Sequence, residues 1–495
     1  MTENLISDHQ PGARNRSASY LFFGITLFLY GYFFVRILFF AIHISPLVPP
    51  DEIDHFGICR IFAESWPLLP QDSPASYQYG PITNIPYLYY YMMGFFLKLN
   101  FLDLNQLVYL RMINALMAAL FVFYAHRWLR LLTPNRVVLT LFLVMLTNTP
   151  MLGFIGASVN YDNLLNLMAV MSLYYLHAFL TSHQWRMLFL FGLCILAGNM
   201  IKITFLPLGL IFVAILAYGT YGLRHKGTAA LGQERPFADP LNAAILGMII
   251  LLSIANIALY GGNLRKFGTL LPETKNIVGE TNALRYRFAA EKIILSQYRE
   301  DAITFEQAVA KAHEHIDRQD DLNRTLFYLQ IARDYKLSPR PIMDRISYAD
   351  VWCKVMLRNS FGILGHMSMM KRPGELGIYR LIFLIAFLCI VRYWRPSIEE
   401  SRFTEALLIV SVYTLIIMQY ANYNEYTRHL SPDSGIQGRY LFPILAPIYG
   451  TMVCYLLKPF RTTCQMITSL IIGGYFIYGD FPFFLSQATA AWFYR

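Results

Sequence analysis

The stretch Pro49-Pro50-Asp51-Glu52-Ile53-Asp54-His55-Phe56 sets three carboxylates and an imidazole directly after a long apolar segment, Ser19 to Ile44. Charge at the edge of an apolar layer is costly and is rarely kept without a use. A carboxylate there can take the proton of an attacking hydroxyl or amine. A second can orient that acceptor or hold a divalent ion. Asp51 and Glu52 are the candidate catalytic pair, but as sequence neighbours their side chains diverge in a helix or a strand, so one task is not expected of both. Asp54 and His55 are candidates for substrate binding; His55 lies one helical turn beyond Asp51 and can share its face. The alternatives are an ordinary acidic loop and, for His55, a hydrogen-bonded bystander.

Four further groups join them. Asp162, in Gly156-Ala157-Ser158-Val159-Asn160-Tyr161-Asp162-Asn163, stands where one apolar run ends and the next begins; the alternative is helix capping by Asn160 or Asp162. Lys202, in Asn199-Met200-Ile201-Lys202-Ile203-Thr204, can pair with a lipid phosphate or snorkel to the interface. Arg36, inside the first apolar run, poses the same question. Arg265, in Gly261-Gly262-Asn263-Leu264-Arg265-Lys266-Phe267-Gly268, sits in a predicted basic glycine turn that can hold phosphate through N–H groups or serve as a flexible exit loop. Arg439 and Tyr440, in the Asp433–Pro443 stretch, suit bidentate phosphate recognition or interfacial anchoring. Tyr79 is a further substrate-binding candidate from the first loop. Carboxylates alone allow a metal-bound or a metal-free base, so Mg²⁺ or Mn²⁺ on Asp51 and Asp162 is one option. His313-Glu314-His315 has the wrong spacing for a zinc helix, which needs two histidines four apart.

The elements that must position these residues are membrane spans. Of 495 residues 56% are hydrophobic and 15% charged, with mean hydropathy +0.40, where a soluble chain carries roughly a quarter charged residues. About 20 apolar residues cross a bilayer as a helix. That ruler predicts an all-α polytopic bundle of about 11 spans, near 19–44, 104–130, 135–153, 161–181, 186–200, 204–222, 242–261, 377–395, 404–421, 439–457 and 465–480. Arg14, Arg16, Arg127, Arg130, Arg136, Arg186, Arg224, Lys226, Arg235, Arg392, Arg395, Arg402, Lys458 and Arg461 all fall on one face if the N-terminus is cytoplasmic. The net charge of +10 therefore reads as a topology signal and not as a nucleic-acid footprint. The first run is long and holds Arg36, so it is expected to be a retained span and not a cleaved signal.

Four segments follow: a disordered polar tail over 1–18; an N-terminal transmembrane module over 19–261, with a first external loop at 45–103; an external helical segment over 262–376; and a C-terminal transmembrane module over 377–495. Asp51–Ser65 and Pro86–Leu99 read as interfacial helices. Thr304-Phe305-Glu306-Gln307 can form a capping box ahead of a charged helix to about Asp317, with another helix through Asp334. Cys59 and Cys353 both fall in predicted external loops, where a disulfide is one option.

This order of span, acidic outer loop with interfacial helices, basic inner loop and further spans resembles the GT-C superfamily of membrane glycosyltransferases, which take sugars from polyprenyl-phosphate carriers. Pro50-Asp51-Glu52 is similar to the Pro-Asp-Glu that follows the first span in several of its families, and Pro86-Tyr87-Leu88-Tyr89-Tyr90 to their aromatic interfacial helix. Asp162 resembles their second acidic position. PPDEIDHF, the turn at Gly262 and Gly438-Arg439-Tyr440-Leu441-Phe442-Pro443 are similar to an uncharacterised bacterial multi-span family of this superfamily. Many relatives carry a globular C-terminal domain, whereas these residues reach Arg495 through a short aromatic stretch. The resemblance implies an inverting transferase in the cytoplasmic membrane, acting on the outer face. Asp51 would be the base, and the donor phosphate would meet Lys202, Arg265 or Arg439. Its partners would be a polyprenyl-phosphate-linked sugar, a lipid or glycan acceptor and membrane lipids. A lipid or oligosaccharide transporter is the alternative from another class; against it, no half of the chain repeats.

Overall fold

The computed structural model describes residues 13–225, 239–395 and 400–494. The tail predicted over 1–18 lies outside them up to residue 12, as do Lys226 and Arg235; from Ala13 the chain is already helical. The transmembrane helices of the first half are α1 (Ala13–His43), α4 (Gln106–Leu132), α5 (Arg136–Thr147), α6 (Pro150–Gly156), α7 (Asp162–Ser182), α8 (Trp185–Asn199), α9 (Phe205–His225) and α10 (Pro240–Asn256). Between α1 and α4 lie α2 (Glu52–Ser65) and α3 (Leu88–Lys98). The 262–376 segment, expected to be external, holds α11 (Arg287–Arg299), α12 (Phe305–His315), α13 (Gln319–Leu337) and α14 (Arg345–Phe361). Then come α15 (Pro373–Tyr393), α16 (Ser401–Ile416), α17 (Leu445–Leu457) and α18 (Thr462–Tyr478).

Among the described residues, eight helices are long and apolar enough to cross a membrane. α5 and α6 meet that measure only together, across a bend of 64°, as a broken span or a re-entrant loop, and α8 and α9 are shorter apolar helices, against an expectation of about 11 spans. The bend follows from sequence: Pro150 opens α6 and cannot donate back into α5. The apolar side chains that remain exposed, such as Leu27, Phe28, Leu251, Ile254, Leu384, Phe387, Leu470 and Ile471, lie on α1, α10, α15 and α18. Such a patch on so many helices is a surface for lipid, not water. This is an integral membrane protein.

α7 and α17 form the interior. α7 packs on α4, α8, α9 and the 3₁₀ segment Gly438–Ile444 that opens α17. The external segment has its own small core of Ala290, Ile294, Leu295, Ala308, Ala312 and Leu329, contributed by α11, α12 and α13. The capping box forms as the spacing predicts: Thr304 Oγ1 accepts from Gln307 N, and Gln307 Oε1 accepts from Thr304 N. Among the described residues there is no strand, and the only bridges are Ile44–Phe493 and Ile363–Met369.

Two expectations change. The glycine turn at Gly262 is helix: Gly262–Phe267 continues α10 through a π turn and stops at Gly268, whose φ is +70°. Gly261 and Gly262 both sit in the right-handed helical region, so the motif has no nest of N–H groups. Its Asn263 instead donates to the carbonyls of Asn84 (2.9 Å) and Leu270 (3.0 Å), tying the end of α10 to the first external loop. Cys59 and Cys353 are both free, Cys59 buried in the bundle and Cys353 exposed.

Candidate active site

Asp51 is the N-cap of α2 and holds φ 57°, ψ 5°. A left-handed conformation is costly for most side-chain-bearing residues, with Asp and Asn the least penalised. It turns the Asp51 side chain away from that of Glu52. The two neighbours go to opposite fates.

Glu52 is fully buried. Its carboxylate accepts from Arg111 Nε (2.8 Å) and Nη2 (2.5 Å) and from the backbone N–H of Val159 (2.9 Å). Arg111 Nη1 in turn donates to the carbonyls of Ala41 (3.2 Å) and Ile44 (2.6 Å), so α1, α2, α4 and the α6–α7 link meet at one buried pair. Glu52 therefore braces the helix, buried with three hydrogen bonds on its carboxylate. Tyr79 also packs structurally: its ring lies where a Cβ on Gly57 would sit, at 2.4 Å, so only glycine lets the loop close on α2.

Asp51 points the other way and meets Arg439. Arg439 Nη2 donates to Asp51 Oδ2 at 2.6 Å, and Arg439 Nε lies 3.4 Å from Asp162 Oδ2. Lys202, on the link between α8 and α9, donates to Asp162 Oδ1 at 2.8 Å. Its ammonium sits over the rings of Tyr161 (4.5 Å) and Tyr440 (5.2 Å). Two acids and two bases from four separate parts of the chain thus form one chain of charge, Asp51–Arg439–Asp162–Lys202. Gly438 sets Arg439 in place: a Cβ there would fall 2.5 Å from Ser360 N on α14. Asn160 Oδ1 accepts from Asp162 N (2.9 Å), so the asparagine fixes the start of α7 and leaves the aspartate free for its ion pairs.

His55 is buried, hydrogen-bonded through Nδ1 to the Tyr90 hydroxyl (2.8 Å) and set edge-on to Tyr161 (4.5 Å between centroids). Burial pushes its pKa down to about 4, against the opposing pull of Asp51. Asp54 is raised by burial to about 6, with Arg287 working in the other direction. Burial would also raise Asp51, but Arg439, His55 and Arg287 hold its carboxyl well below the usual range.

The site opens on a cavity of about 500 Å³. Tyr161, Asp162, Lys202, Arg439 and Tyr440 line one wall; Phe288, Glu291, Arg324 and Tyr328 of the external segment, with Glu425 and His429 beyond α16, line the other. Arg439 is only 5% exposed, yet its Nε and Nη1 have no hydrogen-bond partner. Buried donors are nearly always satisfied, and leaving a charged one unmet is expensive. These N–H groups are suited to an anion entering the cavity.

Of the predicted site residues, Asp162, Lys202, Arg439 and Tyr440 line the cavity; Asp51, Glu52, Asp54, His55 and Tyr79 do not, though Asp51 reaches its wall through Arg439, and Arg265 lies apart, exposed on the continuation of α10. Three contributors went unread in the sequence. Arg111 had a signal, a charge inside the apolar run 104–130, of the same kind that singled out Arg36. Arg287 and the facing pair Glu291–His429 had none, since charged residues are common in the polar stretches around them and do not stand out. The carboxylates do not fit a divalent ion. Arg439 occupies the place between Asp51 and Asp162 that a bridging metal needs, and no set of three or more ligating side chains is arranged for a metal among the described residues.

Among solved structures, the Archaeoglobus fulgidus oligosaccharyltransferase tethered to an acceptor peptide containing the NVT sequon has a TM-score of 0.53 at 10% identity, covering 96% of this chain and 56% of its own. The chain shares the fold of the part of that structure it matches. The archaeal oligosaccharyltransferase AglB from Archaeoglobus fulgidus in complex with an inhibitory peptide and a dolichol-phosphate aligns at TM-score 0.45 and 12% identity over 95% of this chain and 56% of that one. ArnT from Cupriavidus metallidurans bound to undecaprenyl phosphate aligns at 0.35 and 12% over 90% and 78%. The chain spans about half the length of the oligosaccharyltransferases it matches. No protein-family profile and no curated protein matches the sequence.

Proposed function

We propose that this protein is a membrane glycosyltransferase that moves a sugar from a polyprenyl-phosphate donor to an acceptor hydroxyl or amine at the outer face of the cytoplasmic membrane, with the N-terminus inside. The observation that carries the reading is Arg439, buried at the cavity wall between two aspartates with two donors unmet. The donor phosphate meets Arg439 and Lys202, while its prenyl chain stays in the lipid. The acceptor enters beside Asp51. Its proton passes to the Asp51 carboxylate as its oxygen or nitrogen bonds to the anomeric carbon. The bond from that carbon to the phosphate oxygen breaks on the opposite face, giving inversion, and the prenyl phosphate leaves with its new charge held by Arg439 and Lys202.

The ion pairing adds a coupling. With Arg439 bound, Asp51 is a weak base. An incoming phosphate competes for the same guanidinium and so frees the carboxylate, raising its basicity when the donor is in place. The fold shared with an enzyme that holds an acceptor peptide supports the reaction class.

The test is transfer of radiolabel from a prenyl-phosphate sugar by the purified protein in detergent. Asn tolerates the left-handed backbone at position 51, so Asp51→Asn is expected to fold with an unchanged melting profile and to lose transfer by roughly 10²–10⁴-fold. Arg265→Gln, outside the cavity, is expected to turn over like the wild type. Wild-type-like rates in Asp51→Asn would remove it as the base. No consumption in detergent, together with movement of the labelled lipid across sealed vesicles, would replace the enzyme by a transporter.

A further inference from the structure

A second cavity, of about 480 Å³, shares the 3₁₀ segment Gly438–Ile444 with the first: Arg439 and Tyr440 line the charged cavity, while Gly438, Leu441 and Phe442 line this one. It is an apolar groove between α14 and α15, where Met356, Phe361, Phe383 and Leu384 complete the lining. Its volume falls in the range of small-molecule sites, roughly 300–1,000 Å³. The hydrogen-bonding side chains of the lining are satisfied within the chain, with one exception. Trp352 Nε1 donates to Asn422 Oδ1 (2.9 Å), Ser360 Oγ donates to the Met356 carbonyl (2.8 Å), Tyr449 shares a hydrogen bond with Thr149 (2.9 Å), and Lys354 pairs with Asp350. Arg380 is the exception: among the described residues nothing accepts a hydrogen bond from it or pairs with it. It stands about two turns inside α15, in the candidate span Pro373–Tyr393, beside the exposed Leu381 and Leu384.

An arginine inside a span is costly and is almost always paired. The chain offers Arg380 no partner, so the partner comes from the bilayer. A guanidinium on a long stem reaches the level of the lipid phosphates, and its fork fits a phosphate. The groove beside it accepts hydrocarbon and calls for no further hydrogen bond. The unmatched charge sets a preference as well. A zwitterionic headgroup brings its own cation to its phosphate, whereas an anionic headgroup leaves that charge for Arg380. We infer that the groove is a binding site for an anionic phospholipid of the bilayer, with the phosphate on Arg380 and one acyl chain between α14 and α15. This occupant differs from the proposed sugar donor, whose phosphate is assigned to Arg439 and Lys202 on the other side of the 3₁₀ segment. Binding of the phospholipid is independent of the transferase reading.

The experiment titrates the delipidated full chain in detergent with phosphatidylglycerol, phosphatidylcholine or undecaprenyl phosphate, and reads bound lipid by native mass spectrometry. The wild type is expected to retain one phosphatidylglycerol at concentrations where phosphatidylcholine is lost. Arg380→Gln is expected to weaken that binding by roughly fivefold or more, and Arg380→Lys, which keeps the charge, to recover most of it. In nanodiscs, phosphatidylglycerol with a diazirine in its acyl chain is expected to cross-link within 350–361 and 380–384, the stretches of α14 and α15 that line the groove. Equal retention of the two phospholipids would overturn the site. So would wild-type binding by Arg380→Gln, or cross-links spread evenly over the exposed faces of α1, α10 and α18. Undecaprenyl phosphate that displaces phosphatidylglycerol from the wild type, and whose own binding is lost in Arg380→Gln, would give the groove to the carrier chain and overturn the phospholipid. If Arg380→Gln does not accumulate, the wild-type preference and the cross-link map decide. No arm reads sugar transfer, so each outcome leaves the transferase reading where it stands.

Discussion

Glu52 and Arg111 form a fully buried ion pair, and that gives them a distinctive signature. Breaking one partner of a buried pair leaves an uncompensated charge and costs about 3–5 kcal/mol, whereas replacing both by apolar side chains is often neutral. Glu52→Gln is therefore expected to lower the melting temperature sharply in detergent, and the double variant Glu52→Met with Arg111→Met to recover most of the loss. A double variant no better than the single would remove the pair as a brace. His55 carries a pH signature. Its folded pKa, depressed by burial to about 4, lies below the ordinary histidine value. Between about 4 and 6.5 the unfolded chain binds the proton that the folded chain refuses, so this residue makes stability fall as pH falls through that window. Asp54, raised to about 6, works with the opposite sign between about 4 and 6. His55→Gln is thus expected to flatten or reverse the acid-side loss of melting temperature; an unchanged slope would count against a neutral buried imidazole. At this scale Asp51, Asp162, Lys202 and Arg439 were legible because charge beside apolar runs is costly and stands out. Which of Asp51 and Glu52 turns toward Arg439 was not legible, because the answer turns on one left-handed dihedral.

The elements repeat that lesson in another form. Span positions were readable from apolar length, and the capping box from four residues, since both depend on local chemistry. The Gly262 motif misled because glycine permits a turn without requiring one, and here the helix simply runs on through it. The 3₁₀ segment Gly438–Ile444 was readable as a motif but not as a wall. Its Arg439, Tyr440 and Pro443 face the charged cavity, while Leu441 and Phe442 face an apolar groove beside α14 and α15. Gly438 holds that wall against α14 because its missing Cβ leaves room for the Ser360 backbone. Gly438→Ala is expected to push the segment away and move Arg439 off Asp51. The readout is a raised KM for the prenyl-phosphate sugar with a smaller fall in melting temperature than Glu52→Gln; an unchanged KM would show that the close approach does not set the guanidinium.

For the whole molecule, the long-range charge pairs make the site a property of assembly: Asp51 and Arg439 are separated by most of the chain and meet only when the bundle is closed. Sidedness can be read directly. Three candidate spans, 373–393, 401–429 and 438–457, separate Cys353 from Cys464, and both thiols are exposed. In single-cysteine variants a membrane-impermeant maleimide is expected to label Cys353 in intact cells and Cys464 only after lysis; the reverse pattern would place the cavity on the inner face. The bend between α5 and α6 has a consequence for biogenesis. It strands the Thr147 carbonyl, which Arg36 of the first span satisfies at 2.6 Å while pairing with Asp480 near the other end of the chain. An arginine at the centre of a lone helix costs roughly 2.5–3.5 kcal/mol to insert. The ribosome delivers Arg36 to the bilayer hundreds of residues before its counter-ion. During that interval the nascent chain carries a cation within the apolar layer whose counter-ion arrives only with Asp480.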